Sequence, residues 1–148
     1  TGWYALPAGE SFETGERILL NAASESPNAV VPMSEVAPEY APDDRALLAA
    51  TFLGEDALDR NAEALRDDVR DALDAWFPER DFSGLETLDV HRIRFAQFAQ
   101  PPGIHAGLPD VDDPDGPVTL AGDYTEWSSI QGALESGRKA ADAAADHL

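Results

Sequence analysis

The sequence predicts an α+β fold: a mainly antiparallel or mixed sheet, one long amphipathic helix, and a second helix at the C-terminal end. Three observations carry this. Short apolar runs punctuated by Gly, Pro and Asp fill much of the first half, apolar residues recur at helical spacing between 58 and 76, and an uncharged run near the end leads through a glycine turn into a small-residue helix. With 148 residues, the chain is in the size range of one domain and can bury a core without metal or disulfide staples.

Trp3–Leu6 is the first candidate strand, ended by Pro7 and Gly9, and Arg17–Ala22 is the second. Pro27, Pro32, Pro38 and Pro42 remove backbone donors repeatedly, so 26–44 is expected to be an ordered loop holding at most one edge strand, around Ala29–Met33. A third strand is expected at Ala46–Phe52, closed by Gly54. Leu58, Ala62, Leu65, Val69, Ala72, Leu73 and Trp76 then recur at steps of three and four, predicting a helix over 57–77. Asp56 is placed to cap it, Pro78 to stop it, and Asp56/Arg60 and Arg70/Asp74 to pair along its surface. A fourth strand, Asp89–Phe95, alternates with period two and puts Ile93 and Phe95 on one face. The acidic stretch 107–117 reads as a loop, Val118–Ala121 as a short buried strand, and 129–145 as the final helix. No internal repeat is present.

The chain carries 29 acidic against 10 basic residues, a net charge of −19. Duplex nucleic acid and anionic membranes both attract basic surfaces, so neither is expected as a direct partner. A 43% hydrophobic, 8% aromatic composition is too apolar for disorder. The charge therefore reads as a surface adapted to a KCl-rich cytoplasm. Without cysteine there is no disulfide, thiolate nucleophile or thiolate metal site, and no run of about 18 apolar residues spans a bilayer. The chain opens at Thr1 in a strand-like pattern without an initiator methionine, which leads us to expect part of something longer.

Chemistry concentrates in 118–141. After the strand-like run come Gly122 and Asp123, then a helix start where Ser128 and Gln131 fit the Ser-x-x-Gln capping box. Gly132, Ala133, Ser136, Gly137 and Ala140 make a small-residue face; glycine inside a helix costs about 1 kcal/mol against alanine, so two of them imply a packing demand. Free N–H groups at a helix start suit an electron-rich ligand. Asp123 is open to two readings: a turn cap, or an acceptor for ligand hydroxyls.

This passage closely resembles the C-terminal flavin motif of the FAD-dependent amine oxidase superfamily, and within it the phytoene desaturases and related isoprenoid or squalene-type oxidoreductases. The resemblance rests on Ala121-Gly122-Asp123 and on Ser129-Ile130-Gln131-Gly132-Ala133-Leu134-Glu135-Ser136-Gly137. Weaker likeness runs through Ala37–Pro42, Trp76-Phe77-Pro78, and Arg94–Ala96 leading to Pro101-Pro102-Gly103. The resemblance implies FAD as cofactor of the parent protein, contacted by Gly122, Asp123, Trp127, Ser129 and Ile130. In it Asp123 lies against the ribityl or pyrophosphate part, the backbone around Ile130 faces the pyrimidine edge of the ring, and Trp127 lies near the ring. It also implies hydride transfer from a lipophilic small molecule in an apolar cavity, with no fixed catalytic side chain; Ile93, Phe95 and Phe98 are our candidates for lining that cavity, the other reading of each being core packing.

The family's G-x-G-x-x-G fingerprint is missing; Gly103 and Gly107 sit in a proline-bounded loop. The expected organisation is thus 1–117 as part of a substrate-side domain and 118–148 as the flavin-contacting strand and helix, with no FAD held by this chain alone. The competing class is a non-catalytic binding or assembly module that keeps the fold. Should 118–121 form a strand, its open edge is expected to self-associate.

Other candidates are weaker. His91, His105 and His147 have no metal-ligand spacing; they read as a strand residue, a loop residue and a frayed end. Asp110, Asp112, Asp113 and Asp115 depart from the calcium-loop pattern at Pro114, so no metal is expected. No Gly-x-Ser-x-Gly elbow is present. Arg92 and Arg94 share a predicted strand face and suit either an anionic substrate or surface carboxylates.

Overall fold

A computed structural model describes residues 1–9, 12, 14–23 and 26–146. His147 lies outside the described residues. The chain divides into two compact units, Thr1–Arg94 and Phe95–Leu148.

The first unit is a five-stranded antiparallel sheet with helices. Its elements are β1 (Gly2–Pro7), β2 (Leu19–Leu20), β3 (Ala29–Pro32), α1 (Met33–Val36), a 3-10 turn at Pro38–Tyr40, β4 (Arg45–Thr51), α2 (Asp56–Asp59), α3 (Ala62–Trp76) and β5 (Glu86–Val90). The strand order is β2-β3-β4-β1-β5. Register puts Tyr4 opposite Leu48 and Leu6 opposite Ala46, while Val30 faces Ala50. Alternation aims these residues at one face of the sheet, where Leu65, Val69 and Leu73 of α3 are buried. Four-residue spacing keeps those three on one stripe of the helix. Phe12, Phe77 and Phe82 close one end of this core with ring centroids 5.6–6.2 Å apart.

Several expectations for this unit need correction. The helix predicted over 57–77 is two helices, parted where Arg60 and Asn61 turn extended (ψ 139° and 162°). Asn61, rather than Asp56, caps the long one, its side chain accepting from the Ala64 N–H at 2.8 Å. Arg60 pairs not with Asp56 but with Asp68, laying its guanidinium back over α3 and onto the Ala64 carbonyl. Arg70 meets Asp67 at 3.1 Å instead of Asp74. The single strand within 26–44 is not an edge: β3 lies between β2 and β4, and Pro32 is tolerated because it occupies the last rung. The strand expected over 17–22 shrinks to two residues.

The strand predicted at Asp89–Phe95 starts and ends earlier. Its ladder with β1 runs out after Gly2 meets Val90, and the final contacts join Thr1 to His91, at 2.8 Å and 2.9 Å. Ile93 and Phe95 therefore share no strand face and are 60% and 79% exposed. Arg92 is likewise off the strand. Its guanidinium takes the carbonyls of Leu58 and Arg60 at 3.1 and 2.8 Å, satisfying acceptors that the break after α2 leaves open. His91 follows the strand and sits 2.8 Å from Asp89.

The second unit holds 3-10 turns at Ile104–Gly107 and Asp123–Thr125 and the long helix α4 (Ile130–Asp146). Residues 107–117 lack regular structure apart from the end of the first turn, as expected of a loop. Val118–Ala121 is not a strand, and Val118 is 52% exposed. One bond, Leu120 N–H to the Val111 carbonyl at 2.8 Å, ties the stretch down, and within this unit no described strand lies beside it to build a ladder. No described helix is long and apolar enough to cross a membrane.

Candidate functional site

Gly122, Asp123, Trp127, Ser129 and Ile130 fall on one continuous turn that ends in the first residue of α4. Gly122 opens it. A Cβ there would meet the Tyr124 ring at 2.4 Å, so glycine is what lets that ring fold back over the backbone. The 3-10 turn follows, with the Thr125 N–H on the Gly122 carbonyl at 3.1 Å and the Glu126 N–H on the Asp123 carbonyl at 3.2 Å.

Asp123 is half-buried, and one carboxylate oxygen accepts from the Ser128 hydroxyl at 2.8 Å. That contact displaces the predicted capping box by one residue. Ser128 being committed to Asp123, the helix is capped by Ser129, whose Oγ accepts from the Gly132 N–H at 2.9 Å and whose carbonyl accepts from Ala133 at 3.0 Å. The Gly132 and Ala133 amides are thus satisfied. The Ile130 and Gln131 amides ahead of them meet no acceptor among the described residues.

The small-residue face of α4 splits into two stripes. Gly132, Ser136 and Ala140, at four-residue spacing, are buried; Ala133 and Gly137 are exposed, beside Ile130 at 78% and Leu134. Gly132 answers the packing demand inferred from the sequence: a Cβ would come within 2.0 Å of the Trp127 carbonyl oxygen. Gly137 has open space around it.

A cleft of about 440 Å³ opens beside this turn, lined by Gln100, His105, Glu126, Trp127 and Ser128. Gly103 in the left-handed conformation (φ 86°) starts the short 3-10 turn that carries His105. Glu126 pairs with Lys139 of α4, whose ammonium is held above the ordinary lysine range by that hydrogen bond and by the nearby carboxylates of Glu135 and Asp110. Glu135 is lowered by its hydrogen bond to Arg138. Thr125, Glu126 and Lys139, which the sequence does not single out, and Ser136, which it marks only as part of the small-residue face and the motif, tie the turn to α4. Their only signal was spacing from Asp123 and a polar residue on an otherwise small helix face.

Of the proposed cavity residues, Phe95 is exposed and Phe98 half-buried, and neither is a wall of this cleft. Among the described residues no His, Asp and Glu group assembles a metal site. A family model described as flavin-containing amine oxidoreductase matches residues 9–145. No curated protein matches the chain.

Proposed function

Because this chain belongs to the flavin-containing amine oxidoreductase family, we propose that it forms the C-terminal, substrate-side and flavin-contacting part of an FAD-dependent oxidoreductase. The reaction we assign is hydride removal from a lipophilic small molecule, of the phytoene desaturase type, in a protein of a KCl-rich cytoplasm. The observation that carries this reading is the turn from Gly122 to Ser129, which delivers a carboxylate and two acceptor-free amides to one helix start.

The residues fit the cofactor by their donor set. FAD presents an electron-rich pyrimidine edge and hydroxyl groups along its ribityl chain; the Ile130 and Gln131 amides suit the first, and the carboxylate of Asp123 suits the second. When bound, the flavin supplies the two-electron acceptor. The amides at the start of α4 favour negative charge placed before them, since the helix carries roughly half a positive unit at that end. Being fixed before the reaction, they need no reorganisation as charge builds. Asp123 keeps its orientation because Ser128 holds one oxygen at 2.8 Å. Trp127 is held because its backbone packs on Gly132. Ile93, Phe95 and Phe98 are our candidates for the apolar surface that meets the substrate.

No G-x-G-x-x-G fingerprint lies within these residues, so we assign pyrophosphate binding to residues beyond the 148. The test compares the chain with its whole reading frame. The whole protein is expected to purify with stoichiometric FAD that bleaches anaerobically with a polyene substrate, and the chain alone to be colourless. A reading frame without the fingerprint, whose product stays colourless with added FAD, would favour a non-catalytic module and sink the proposal.

A further inference from the structure

Ser136 is fully buried on the inward stripe of α4, and Thr125 is buried beneath it. The Gly122 N–H donates to Ser136 Oγ at 2.9 Å. Thr125 Oγ1 lies 2.7 Å from Ser136 Oγ and 3.2 Å from the Gly122 carbonyl oxygen. A hydroxyl has one proton to give, so one arrangement satisfies all three contacts: Gly122 N–H to Ser136 Oγ, Ser136 O–H to Thr125 Oγ1, and Thr125 O–H to the Gly122 carbonyl. The relay starts and ends on the same residue, clamping Gly122 through both its amide and its carbonyl.

We infer that Ser136 and Thr125 are positioning residues of the flavin site, their hydroxyl relay setting the direction in which Asp123 and the free amides of α4 are presented. This rests on the FAD reading above. Asp123 follows Gly122 directly, and Ser136 belongs to the helix whose first amides are free, so the relay joins the two halves of the donor set. Around it the packing is by Gly132 and Ala140, small groups whose contacts are non-directional. Hydrogen bonds carry angular demands, and the relay, together with the Glu126–Lys139 pair, fixes how the turn is rotated against the helix.

The experiment uses the full-length flavoprotein and the variants Ser136→Ala, Thr125→Val and the hydroxyl-retaining Thr125→Ser. Two readouts are taken: amide exchange at Gly122 in flavin-free protein, and FAD affinity with the visible flavin spectrum. Ser136→Ala and Thr125→Val are expected to speed Gly122 exchange and weaken FAD binding, each about tenfold or more, with a shifted flavin band, while Thr125→Ser restores both. Unchanged Gly122 exchange overturns the relay. Faster exchange with unchanged FAD affinity and spectrum overturns the positioning role, leaving a purely structural bond. A wild-type protein that never binds FAD overturns the flavin reading and the positioning role with it, and the exchange data then report on the relay alone. If Ser136→Ala does not fold, the Thr125 pair decides between the same outcomes.

Discussion

Replacing Gly132 by alanine and, separately, Gly137 by alanine should move stability in opposite directions, although the chemical change is identical and both sit on α4. At Gly137 the added methyl meets no atom within 4 Å, so the variant collects the helix-propensity gain of about 1 kcal/mol. At Gly132 the methyl arrives 2.0 Å from the Trp127 carbonyl oxygen and 3.0 Å from its carbon. The obstruction is backbone, which has no rotamer to change, so the turn must lift off the helix. Overpacking costs roughly 1–3 kcal/mol, and the upper half of that range applies here. Less the propensity gain, Gly132→Ala should lose about 1–2 kcal/mol, which separates the variants by about 2–3 kcal/mol. At 2–4 °C per kcal/mol for a chain of this size, that is roughly 4–12 °C in thermal midpoint. Parallel melts followed by far-ultraviolet ellipticity would measure it, with urea titration as a check. Midpoints that move in the same direction by the same amount would refute the packing of Trp127 on Gly132.

Tyr4 is fully buried with no hydrogen-bond partner for its hydroxyl among the described residues, so Tyr4→Phe should be neutral or stabilise by about 1 kcal/mol. Burial, helped by the Asp68 carboxylate, pushes that phenol up to about 12. A proton held more tightly in the fold stabilises it fully below pH 10, and that contribution drains away as pH rises through 12. Wild type should therefore lose about 2–3 kcal/mol more than Tyr4→Phe between pH 10 and 12; parallel urea titrations would expose it, and identical alkaline profiles would rule it out. Asn61→Ala should cost α3 about 1 kcal/mol through its lost cap, whereas Asp56→Ala should stay within about 0.5 kcal/mol. Equal effects would restore the one-helix reading.

What could be read from sequence was whatever is written in local periodicity. Leu65, Val69 and Leu73 announce a buried stripe because the helix period is a property of neighbours alone. The break before them is not local: Arg60 leaves the helix for Asp68 eight residues on, and Arg92 arrives from beyond α3 to cover the carbonyls exposed there. No propensity at Arg60 or Asn61 encodes a partner that distant. Val118–Ala121 fails for a related reason, since an apolar run reads as a strand whether or not another strand lies alongside. The turn carrying Asp123 was legible as a motif, and its residues do fall together. The register of its cap was not, because Ser128 and Ser129 both offer a hydroxyl and only the contact to Asp123 assigns them.

The acidic surface makes the last prediction. With 29 acids and 10 bases, pairing each base with one acid leaves 19 carboxylates over. Arg66 and Arg70 share Asp67 on α3, and Arg138 takes both Glu135 and Asp142 on α4, so these bases are engaged locally. Such exposed pairs contribute little, about 0–1 kcal/mol, and salt weakens them. Like-charge neighbours cost a comparable 0.2–0.5 kcal/mol each. The balance should favour salt: the screening length contracts from about 10 Å at 0.1 M to about 3 Å at 1 M, which damps repulsion between exposed carboxylates. Relief of roughly 0.2 kcal/mol at each surplus carboxylate sums to about 4 kcal/mol, less what the pairs lose. The melting midpoint should rise steadily with KCl, and rise equally with tetramethylammonium chloride if screening rather than a bound ion is responsible. Changing the exposed Asp71 and Asp74 to lysine removes repulsion at its source and should flatten that slope. A midpoint that is flat or falling with KCl in the wild-type chain would mean the charge is not a burden on the fold, and the assignment to a KCl-rich cytoplasm would go with it.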